Sequence, residues 1–499
     1  FHHGPGLDAG SKESMGWIAD WGYYVISHDR YHREEPWYHL ARRDDPDEMN
    51  RFWGVLMGTT DAMVATDLEA LLAFVDADPV ARVAPMGTIG FCIGARSVLV
   101  SMAADNDRFK AGVGMHPWGK WGHNFVTYGV HAALAALSDA GIPWEDVGFV
   151  SGADTMRNGY PGYVAGATFA QALGWTGVPV TSNYGACASG AMAIEAARAR
   201  ILSGRCDVAL VVGADTTPKG FLAPQGGERT TDPDWLRFRL LGATNPTYFG
   251  MYARRRIDLF GATVDDFTAV KLKNAKHGLN NPYARYRKAF TAEDVAASPV
   301  VADPLHLLHI CATSDGGAAM VLTSMEYAKK RGLDRPVRVA AVSTTTPTYP
   351  NTVIEMPHFA TDSTVGYPLP ERTFKQSIGH SAYEEAGLGP EDVDVAEVYD
   401  LSAALELDWY EDLGFCEPGE AEGMIREGAT TLGGRLPVNP SGGLACFGEA
   451  VPAQAIAQAC ELTWQLRGEA EGRQVEEAKV GITANQGLFG HGSSVILTR

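Results

Sequence analysis

Apolar segments with the lengths of strands alternate along most of the chain with amphipathic segments of helical spacing. Residues 125–140 predict a helix that ends at Gly141, and residues 208–213 form a continuous apolar run typical of a buried strand. Beyond residue 330 the alternation starts again and predicts strands at 337–342, 393–398, 480–483 and 494–497 and helices at 372–385 and 453–466. Two successive halves rich in βαβ units indicate a pseudo-duplicated α/β fold.

The same pattern divides the chain into three predicted domains. Residues 1–110 form a first α/β block, in which a strand, a sharp turn and a helix are predicted at 86–95. Residues 111–330 and 331–499 are the two similar halves. Within the first half, residues 219–298 are polar and aromatic with poor periodicity, which indicates an inserted loop domain.

Composition and charge exclude some classes of function. The 499 residues are 45% hydrophobic and 20% charged, as in ordinary globular proteins, and the formal net charge is −19. Such a charge repels polyanions, so we expect no nucleic acid binding. An anionic substrate would need local basic groups or helix N-termini. Residues 252–256 and 271–287 are locally basic, and each stretch is either such a site or a solvated helix face.

The cysteines and the apolar runs bear on the protein's location. The chain has seven cysteines, an odd number with no pair at metal-ligand spacing, which indicates reduced thiols and no bound metal. No apolar run approaches the ~18 residues of a membrane span, and no signal peptide is evident. We therefore expect a cytoplasmic protein without a membrane span.

Cys187 stands where an apolar strand gives way to a helix rich in alanine and glycine. A thiol at a helix N-terminus faces free N–H groups and the positive end of the helix dipole, and both favour the thiolate. Small neighbouring residues would let a thioester approach this helix end. The residue is therefore either a nucleophile or a buried structural cysteine, which is the commoner role.

The segment around this cysteine, Ala186–Gly190 (ACASG), resembles the nucleophile segment of the thiolases, in particular the branch of sterol-carrier-protein thiolases and acetyl-CoA acetyltransferases. Further matching segments follow in family order: GVGMHPWG at 112–119, VVGAD at 211–215, TSDGGA at 313–318, EVYD at 397–400 and NPSGGL at 439–444. The resemblance implies the five-layer αβαβα thiolase fold. It also implies coenzyme A thioesters as substrates, no permanently bound cofactor, and a homodimer.

The chain departs from the thiolase pattern at three polar positions. Thiolases pair the nucleophile with a histidine in a Gly-His-Pro segment, a second cysteine near the C-terminus, and an asparagine or histidine after a strand. Here the Gly-His-Pro histidine is replaced by Glu449, the residue after the strand is Tyr399, and the C-terminal segment 485–492 contains no cysteine. Cys446 lies close to Glu449 in sequence and either packs in the core or replaces the missing thiol.

These changes favour a retro-aldol cleavage of a carbon–carbon bond over thiolysis. Without an imidazole and a second thiol, proton transfers that are each worth ~10²–10⁴-fold lack evident donors. A retro-aldol cleavage needs a base for a β-hydroxyl and a site that stabilises a thioester enolate, and tyrosine and glutamate can serve both roles. A thiolase-like branch with tyrosine at this position resembles the steroid side-chain aldolases. That resemblance implies an OB-fold acyl-CoA-binding partner protein.

The resemblance also assigns roles to single residues. Cys187, Tyr399 and Glu449 are the predicted catalytic residues, with Tyr399 in proton transfer or oxyanion stabilisation and Glu449 as a base. Tyr349 is a second tyrosine candidate, and His491 lies among glycines whose N–H groups could form an oxyanion hole. The alternative role is core packing for Tyr399, a structural carboxylate for Glu449 and a loop aromatic for Tyr349. For His491 the alternative is a side chain that does not touch the site. Contacts with the coenzyme A thioester are implied for Ser189, Gly442 and Gly443.

The N-terminal block carries a second resemblance. Residues 90–94 (GFCIG) fit a nucleophile elbow with Cys92 in place of serine, and HHGPGL at 2–7 and YYVISHDRY at 23–31 add to a resemblance to the dienelactone hydrolases. That family needs an aspartate and a histidine well beyond the nucleophile, where this chain already resembles thiolases. We therefore interpret residues 1–110 as a truncated, inactive α/β-hydrolase segment.

Four functions follow from these observations, and the retro-aldolase on acyl-CoA thioesters is the favoured one. The first alternative is a β-ketoacyl-CoA thiolase or acetyl-CoA acyltransferase that uses Cys187. A dienelactone-type hydrolase acting through Cys92 and a non-catalytic scaffold that binds acyl-CoA are the others.

Overall fold

The strands of the C-terminal part of the chain are apolar and buried on both faces, as expected of sheets that helices cover on each side. The computed structural model describes residues 114–155, 164–217, 245–333, 336–348, 370–487 and 490–499, together with 61–78 and isolated shorter pieces elsewhere. The chain divides into two units, Phe1–Ala111 and Gly112–Arg499.

In the first unit, the longest described element is helix α1, Asp61–Ala77. It buries Val64 and Leu68 at helical spacing. Asp67 lies on the same helix, is also buried, and accepts two hydrogen bonds from the guanidinium of Arg33. This pairing compensates the cost of burying the carboxylate.

The second unit contains two main sheets and the helices that cover them. Its strands are β1 Gly114–Gly119, β2 Phe149–Ala153, β3 Val180–Asn183, β4 Val208–Thr216, β5 Val300–Ala302, β6 Leu305–His306, β7 Asp315–Thr323, β8 Arg338–Thr345, β9 Val395–Val398, β10 Val480–Gly487 and β11 His491–Thr498. Its α-helices are α2 Phe125–Ala140, α3 Ala165–Leu173, α4 Ser189–Leu202, α5 Asn245–Phe260, α6 Val264–Gly278, α7 Ala292–Ala297, α8 Met325–Arg331, α9 Phe374–Ala386, α10 Ala403–Asp412, α11 Ala421–Arg426, α12 Gly443–Phe447 and α13 Gln454–Arg467. No helix in the described ranges is both long and apolar enough to cross a membrane.

The two main sheets repeat one topology. The first has the order β1–β7–β4–β2–β3, in which β1, β7 and β4 pair antiparallel and β4, β2 and β3 pair parallel. The second has the order β8–β11–β10–β9 with the same sequence of antiparallel, antiparallel and parallel pairings. A parallel bridge from Ala396 to Val438 occupies the place that β3 has in the first sheet. The two halves are therefore a structural duplication, as predicted.

Two helices lie between the sheets and give the unit its five αβαβα layers. Helix α4 packs on β2 and β4 of the first sheet and on β8 of the second, and α13 packs on β7 and on β10. Helices α2 and α9 cover the outer faces of the first and second sheet. The inner helices approach closely at Gly190, where a Cβ atom would lie 3.1 Å from the backbone nitrogen of Ile456. The predicted five-layer αβαβα architecture is confirmed by this layering.

Local signals set helix bounds where they are strong. Helix α2 begins after Asn124, whose side chain accepts a hydrogen bond from Val126 N, and it ends at Gly141 in the left-handed conformation. These are the bounds that the sequence predicts. In contrast, the poorly periodic stretch 219–298 contains the three helices α5, α6 and α7 in its described part.

The expectation for the two basic stretches was wrong in part. Arg256, Lys271 and Lys273 are buried, so these side chains lie neither on a solvated helix face nor in an open anion site. Lys273 forms an ion pair with the buried Glu406, and the Lys271 ammonium donates a hydrogen bond to the Ala445 carbonyl. Basic residues here satisfy buried acceptors within the fold.

Candidate active site

Cys187 lies in a tight turn between the end of β3 and the start of α4. Ala186 before it has a left-handed φ of 50°, which costs a residue with a Cβ atom about 1–2 kcal/mol. The Ser189 hydroxyl donates to Ala186 O at 2.7 Å and accepts from Gly185 N at 2.9 Å, so it holds the turn closed. Residues 186–188 form a 3-10 turn that leads directly into the helix. The thiol therefore sits at the positive end of α4.

Tyr399 and Glu449 come from the second half of the duplication. Tyr399 follows the last residue of β9, and its carbonyl accepts a hydrogen bond from Trp409 Nε1 at 3.2 Å. Glu449 precedes α13, and its backbone bonds to Ala312 O at 2.7 Å and to Ser314 N at 2.9 Å. Because α4 and α13 are equivalent inner helices, Cys187 and Glu449 occupy equivalent places in the two halves.

The structure brings these three side chains together on one carboxylate oxygen. The Tyr399 hydroxyl donates to Glu449 Oε1 at 3.1 Å, and the Cys187 thiol donates to the same oxygen at 3.5 Å. Tyr399 is 2% exposed, Glu449 3% and Cys187 7%. A phenol, a carboxylate and a thiol thus share one buried site, a geometry suited to moving a proton between them.

Burial controls the ionisation of the phenol. It raises the pKa of Tyr399 well above its ordinary value, and the neighbouring charges of Cys187 and Glu449 raise that pKa further. The phenol therefore carries its proton at neutral pH and acts as the hydrogen-bond donor to Glu449. A phenolate could form at this position only if a hydrogen-bond donor stabilised its oxygen.

Two further residues border this site that sequence reasoning did not single out. Gln454 is the first residue of α13, and its Nε2 donates to the Cys187 carbonyl at 3.4 Å. Cys311 is half-buried, and the pKa of its thiol is raised by burial and then by the charge of Glu449. Its backbone nitrogen donates to Leu401 O at 2.9 Å. One sequence feature could have identified Gln454 as a candidate: it lies in the first turn of a helix that starts just after Glu449.

The glycine-rich segment beside the site packs tightly on Asp400. The carboxylate of Asp400 accepts from Leu444 N at 2.7 Å and from Ala445 N at 3.1 Å. A Cβ atom on Gly443 would lie 2.5 Å from this carboxylate, and one on Gly442 would lie 2.7 Å from Gly278 Cα. Both glycines also have positive φ. The fold therefore requires glycine at these two positions, both for its small size and for its backbone conformation.

The other predicted site residues have different surroundings. His491 begins β11, pairs with Gly487 and is half-buried, and Gly487 lies against the turn at Ala186. Cys446 is buried and its thiol donates to Asn274 O at 3.3 Å, which is a core contact. Tyr349 and Cys92 lie outside the described residues. Among the residues that the structure describes, no group of three or more His, Cys, Asp or Glu side chains could hold a metal ion.

Three protein families match parts of the chain. The family described as thiolase C-terminal domain-like matches residues 368–499, and the N-terminal domain of beta-ketoacyl synthases matches residues 120–231. The dienelactone hydrolase family matches residues 1–139, in agreement with the second resemblance. Whether that segment is inactive stays a prediction.

Individual proteins also match the chain over most of its length. Sterol carrier protein 2 of Oryctolagus cuniculus is 33% identical over 399 residues, which cover 77% of this chain and 70% of the relative. Benzoylsuccinyl-CoA thiolase subunit BbsB of Thauera aromatica is 33% identical over 376 residues, covering 75% of this chain and 93% of the relative. The solved structure named Ltp2-ChsH2(DUF35) aldolase is 27% identical with a TM-score of 0.63, and the match covers 78% of this chain and 96% of that one.

Proposed function

Because this chain belongs to the thiolase family, we propose that it cleaves a carbon–carbon bond of a β-hydroxyacyl-coenzyme A thioester by a retro-aldol reaction. One observation carries this proposal: Tyr399 and Cys187 both donate to the same oxygen of Glu449. A carboxylate thus stands where thiolases have an imidazole. The site offers a proton relay between a phenol and a thiol.

The relay accounts for every proton in the reaction. The β-hydroxyl proton of the substrate moves to the Tyr399 oxygen as Tyr399 passes its own proton to Glu449, so no free phenolate forms. The Cα–Cβ bond breaks, its electron pair forms the thioester enolate, and the β-carbon becomes a ketone or aldehyde. The proton on Glu449 then returns through the Cys187 thiol to the α-carbon, which gives a shortened acyl-CoA.

Thiolysis, the alternative, fits this site less well. It needs Cys187 as a thiolate that attacks the substrate. A thiolate at Cys187 would lie beside the negative charge of Glu449, at the 3.5 Å distance that separates sulfur and oxygen here. The imidazole of a thiolase becomes positive when it takes the thiol proton and so stabilises the thiolate instead. The relative named benzoylsuccinyl-CoA thiolase supports this alternative. The solved structure named as an aldolase supports the retro-aldol reaction.

We also propose that the chain works in an assembly. The aldolase structure contains a DUF35 partner by its name, and a partner of that OB-fold, acyl-CoA-binding kind is our proposal for this chain. A homodimer is the second part of the proposal. In support of it, β3 lies at an edge of its sheet, and Trp175 and Tyr184 on either side of it are 64% and 44% exposed. Analytical ultracentrifugation of the full chain tests the dimer.

Product analysis distinguishes the two reactions. Incubation with a panel of β-hydroxyacyl-CoA thioesters, from β-hydroxybutyryl-CoA to bulky branched examples, should give a carbonyl compound and a shortened acyl-CoA in equal amounts without added free CoA. Acetoacetyl-CoA with free CoA should not be cleaved. Mass spectrometry of the acyl-CoA products and trapping of the carbonyl product with a hydrazine make both measurements.

The variant Cys187→Ala provides the control for this experiment. In the retro-aldol reaction it loses only the return of a proton, so we expect a decrease in kcat of about 10²-fold, at the lower end of the effect of one proton-transfer group. In thiolysis it loses the nucleophile, and turnover should end. Cleavage that depends on free CoA and vanishes in Cys187→Ala would replace our proposal with the thiolase alternative.

A further inference from the structure

We propose that Gln454 is a positioning residue of this site, and that water in a buried cavity behind it bonds to its side-chain oxygen. The chemical part of this role rests on the proposed function, because it concerns proton transfer at Tyr399. The water site itself follows from the polar atoms that line the cavity and is independent of the reaction.

One end of the Gln454 amide faces the reacting groups. The side chain is 1% exposed, and its Nε2 donates to the Cys187 carbonyl oxygen at 3.4 Å. The amide also hydrogen-bonds to the Tyr399 side chain and thereby lowers the pKa of that phenol, against the larger effect of burial. A single amide therefore contacts both the turn that holds the thiol and the phenol of the relay.

Gln454 and Trp118 both line a buried cavity. Gln454 Oε1 and Trp118 Nε1 are buried and have no hydrogen-bond partner among the described protein atoms. An unpaired buried donor or acceptor destabilises the fold, because it has lost its hydrogen bonds to water without replacing them. The remaining polar wall residues are Glu397, Ser441, Gln458 and Glu461.

The two unpaired atoms are complementary. Water can accept from the Trp118 indole and donate to the Gln454 carbonyl oxygen, and its second hydrogen can reach another acceptor of the polar wall. Buried waters typically make about three such hydrogen bonds to groups that would otherwise be unsatisfied. The ligand that this cavity fits is therefore one water molecule or a short chain of them.

The Cys187 carbonyl, which can only accept, and the cavity water favour the same orientation of the amide. With Gln454 Oε1 bonded to the water, the NH₂ group faces Cys187 and Tyr399. The flipped amide would place its oxygen against the Cys187 carbonyl oxygen, so two acceptors would meet. A fixed donor at the Tyr399 oxygen stabilises the negative charge that develops there during proton transfer. The cavity thus acts on the relay through the Gln454 amide.

A crystal structure of the full chain tests the water site. We expect ordered density in the cavity within hydrogen-bond distance of Trp118 Nε1 and Gln454 Oε1, and its loss or displacement in Trp118→Phe, which removes the donor but keeps a ring. A dry cavity in crystals whose other buried waters are well ordered would overturn this part of the inference.

The pH dependence of Gln454→Glu tests the positioning role. A protonated carboxyl group at this place can still donate to Tyr399, whereas a carboxylate cannot donate and repels developing charge. Activity relative to the parent protein should therefore rise by about 10-fold or more as the pH falls through the pKa of the new carboxyl group, consistent with the effect of one catalytic donor. Gln454→Leu should be equally impaired at every pH.

Gln458→Glu is the matched control, because it makes the same change one turn further along the same helix and at the same cavity. The side-chain oxygen of Gln458 accepts a hydrogen bond from Asn485 Nδ2 at 2.6 Å. The variant therefore tests the effect of a negative charge that lines the cavity but lies away from the relay. A pH-independent ratio for Gln454→Glu, or the same pH dependence in Gln458→Glu, would overturn the positioning role. Failure of the proposed reaction would instead be evident in the products of the parent protein, and the crystallographic test needs no turnover.

Discussion

Replacement of Tyr399 by phenylalanine is expected to lower kcat for carbon–carbon cleavage by about 10²–10⁴-fold with little change in KM. The change removes only the hydroxyl that donates to Glu449 at 3.1 Å and leaves the buried ring in place. Without this hydroxyl the substrate proton has no path to the carboxylate. Steady-state kinetics on the best β-hydroxyacyl-CoA of the panel measure the effect.

Tyr410→Phe is the control for that experiment. Tyr410 is also buried, and its hydroxyl donates to Glu406 Oε1 at 2.6 Å, away from the Glu449 carboxylate. Loss of this hydrogen bond should reduce the free energy of unfolding by about 1–3 kcal/mol and leave kcat nearly unchanged. A Tyr399→Phe protein that is as active as its parent would remove the relay from the mechanism, whatever its stability.

Arg256→Met is expected to reduce the free energy of unfolding of the second unit by about 3–5 kcal/mol. The guanidinium is fully buried and donates to Asp408 at 2.7 Å, to Glu411 at 2.6 Å and to Glu422 at 2.7 Å. Its removal leaves three carboxylates, and Lys375, which bonds Asp408 at 3.1 Å, is then the positive charge that the described residues show beside them. Urea unfolding followed by tryptophan fluorescence measures the loss.

Arg254→Met makes the same change two residues earlier on α5. Arg254 is 49% exposed and pairs with Asp303 at the surface, so the expected loss is at most about 1 kcal/mol. Similar losses in both variants would show that the buried network contributes no more than a surface ion pair does.

The destabilisation by Arg256→Met should also depend on pH. The folded-state pKa of Asp408 is low because Lys375 and Arg256 outweigh the effect of its burial, so its stabilising contribution is complete above its unfolded pKa of about 3.9 and is lost as the pH falls through the folded value. Removing Arg256 raises that folded pKa. The difference in stability between the two proteins should therefore be largest near neutral pH and shrink as the pH falls below about 4, towards the folded-state pKa of Asp408 in the parent protein. A difference that is constant with pH would contradict this account.

Much of the fold could be predicted because its signals are local. Helix α2 has an asparagine cap and a terminal glycine, and β4 is a run of apolar residues buried on both faces. The stretch 219–298 lacked such signals, because its helices bury charged side chains such as Arg256 and Lys273 against carboxylates far away in sequence. A pattern of apolar spacing does not register a helix face that is buried through ion pairs.

The site was predictable only where a resemblance to known sequences marked a position. Cys187, Tyr399 and Glu449 stood out because they sit in, or depart from, recognisable thiolase segments. Gln454 and Cys311 reach the same site through packing of α13 and of the segment before β7, which neither spacing nor composition encodes. The hydroxyl of Ser189, predicted to contact coenzyme A, is engaged by the backbone of its own turn.

The separation of 262 positions between Cys187 and Glu449 has a consequence for biosynthesis. During translation the ribosome releases the thiol long before the carboxylate exists, and domains generally fold in the order of their synthesis. A polypeptide that terminates before Glu449 therefore carries the cysteine without the carboxylate that its thiol contacts in the complete second unit.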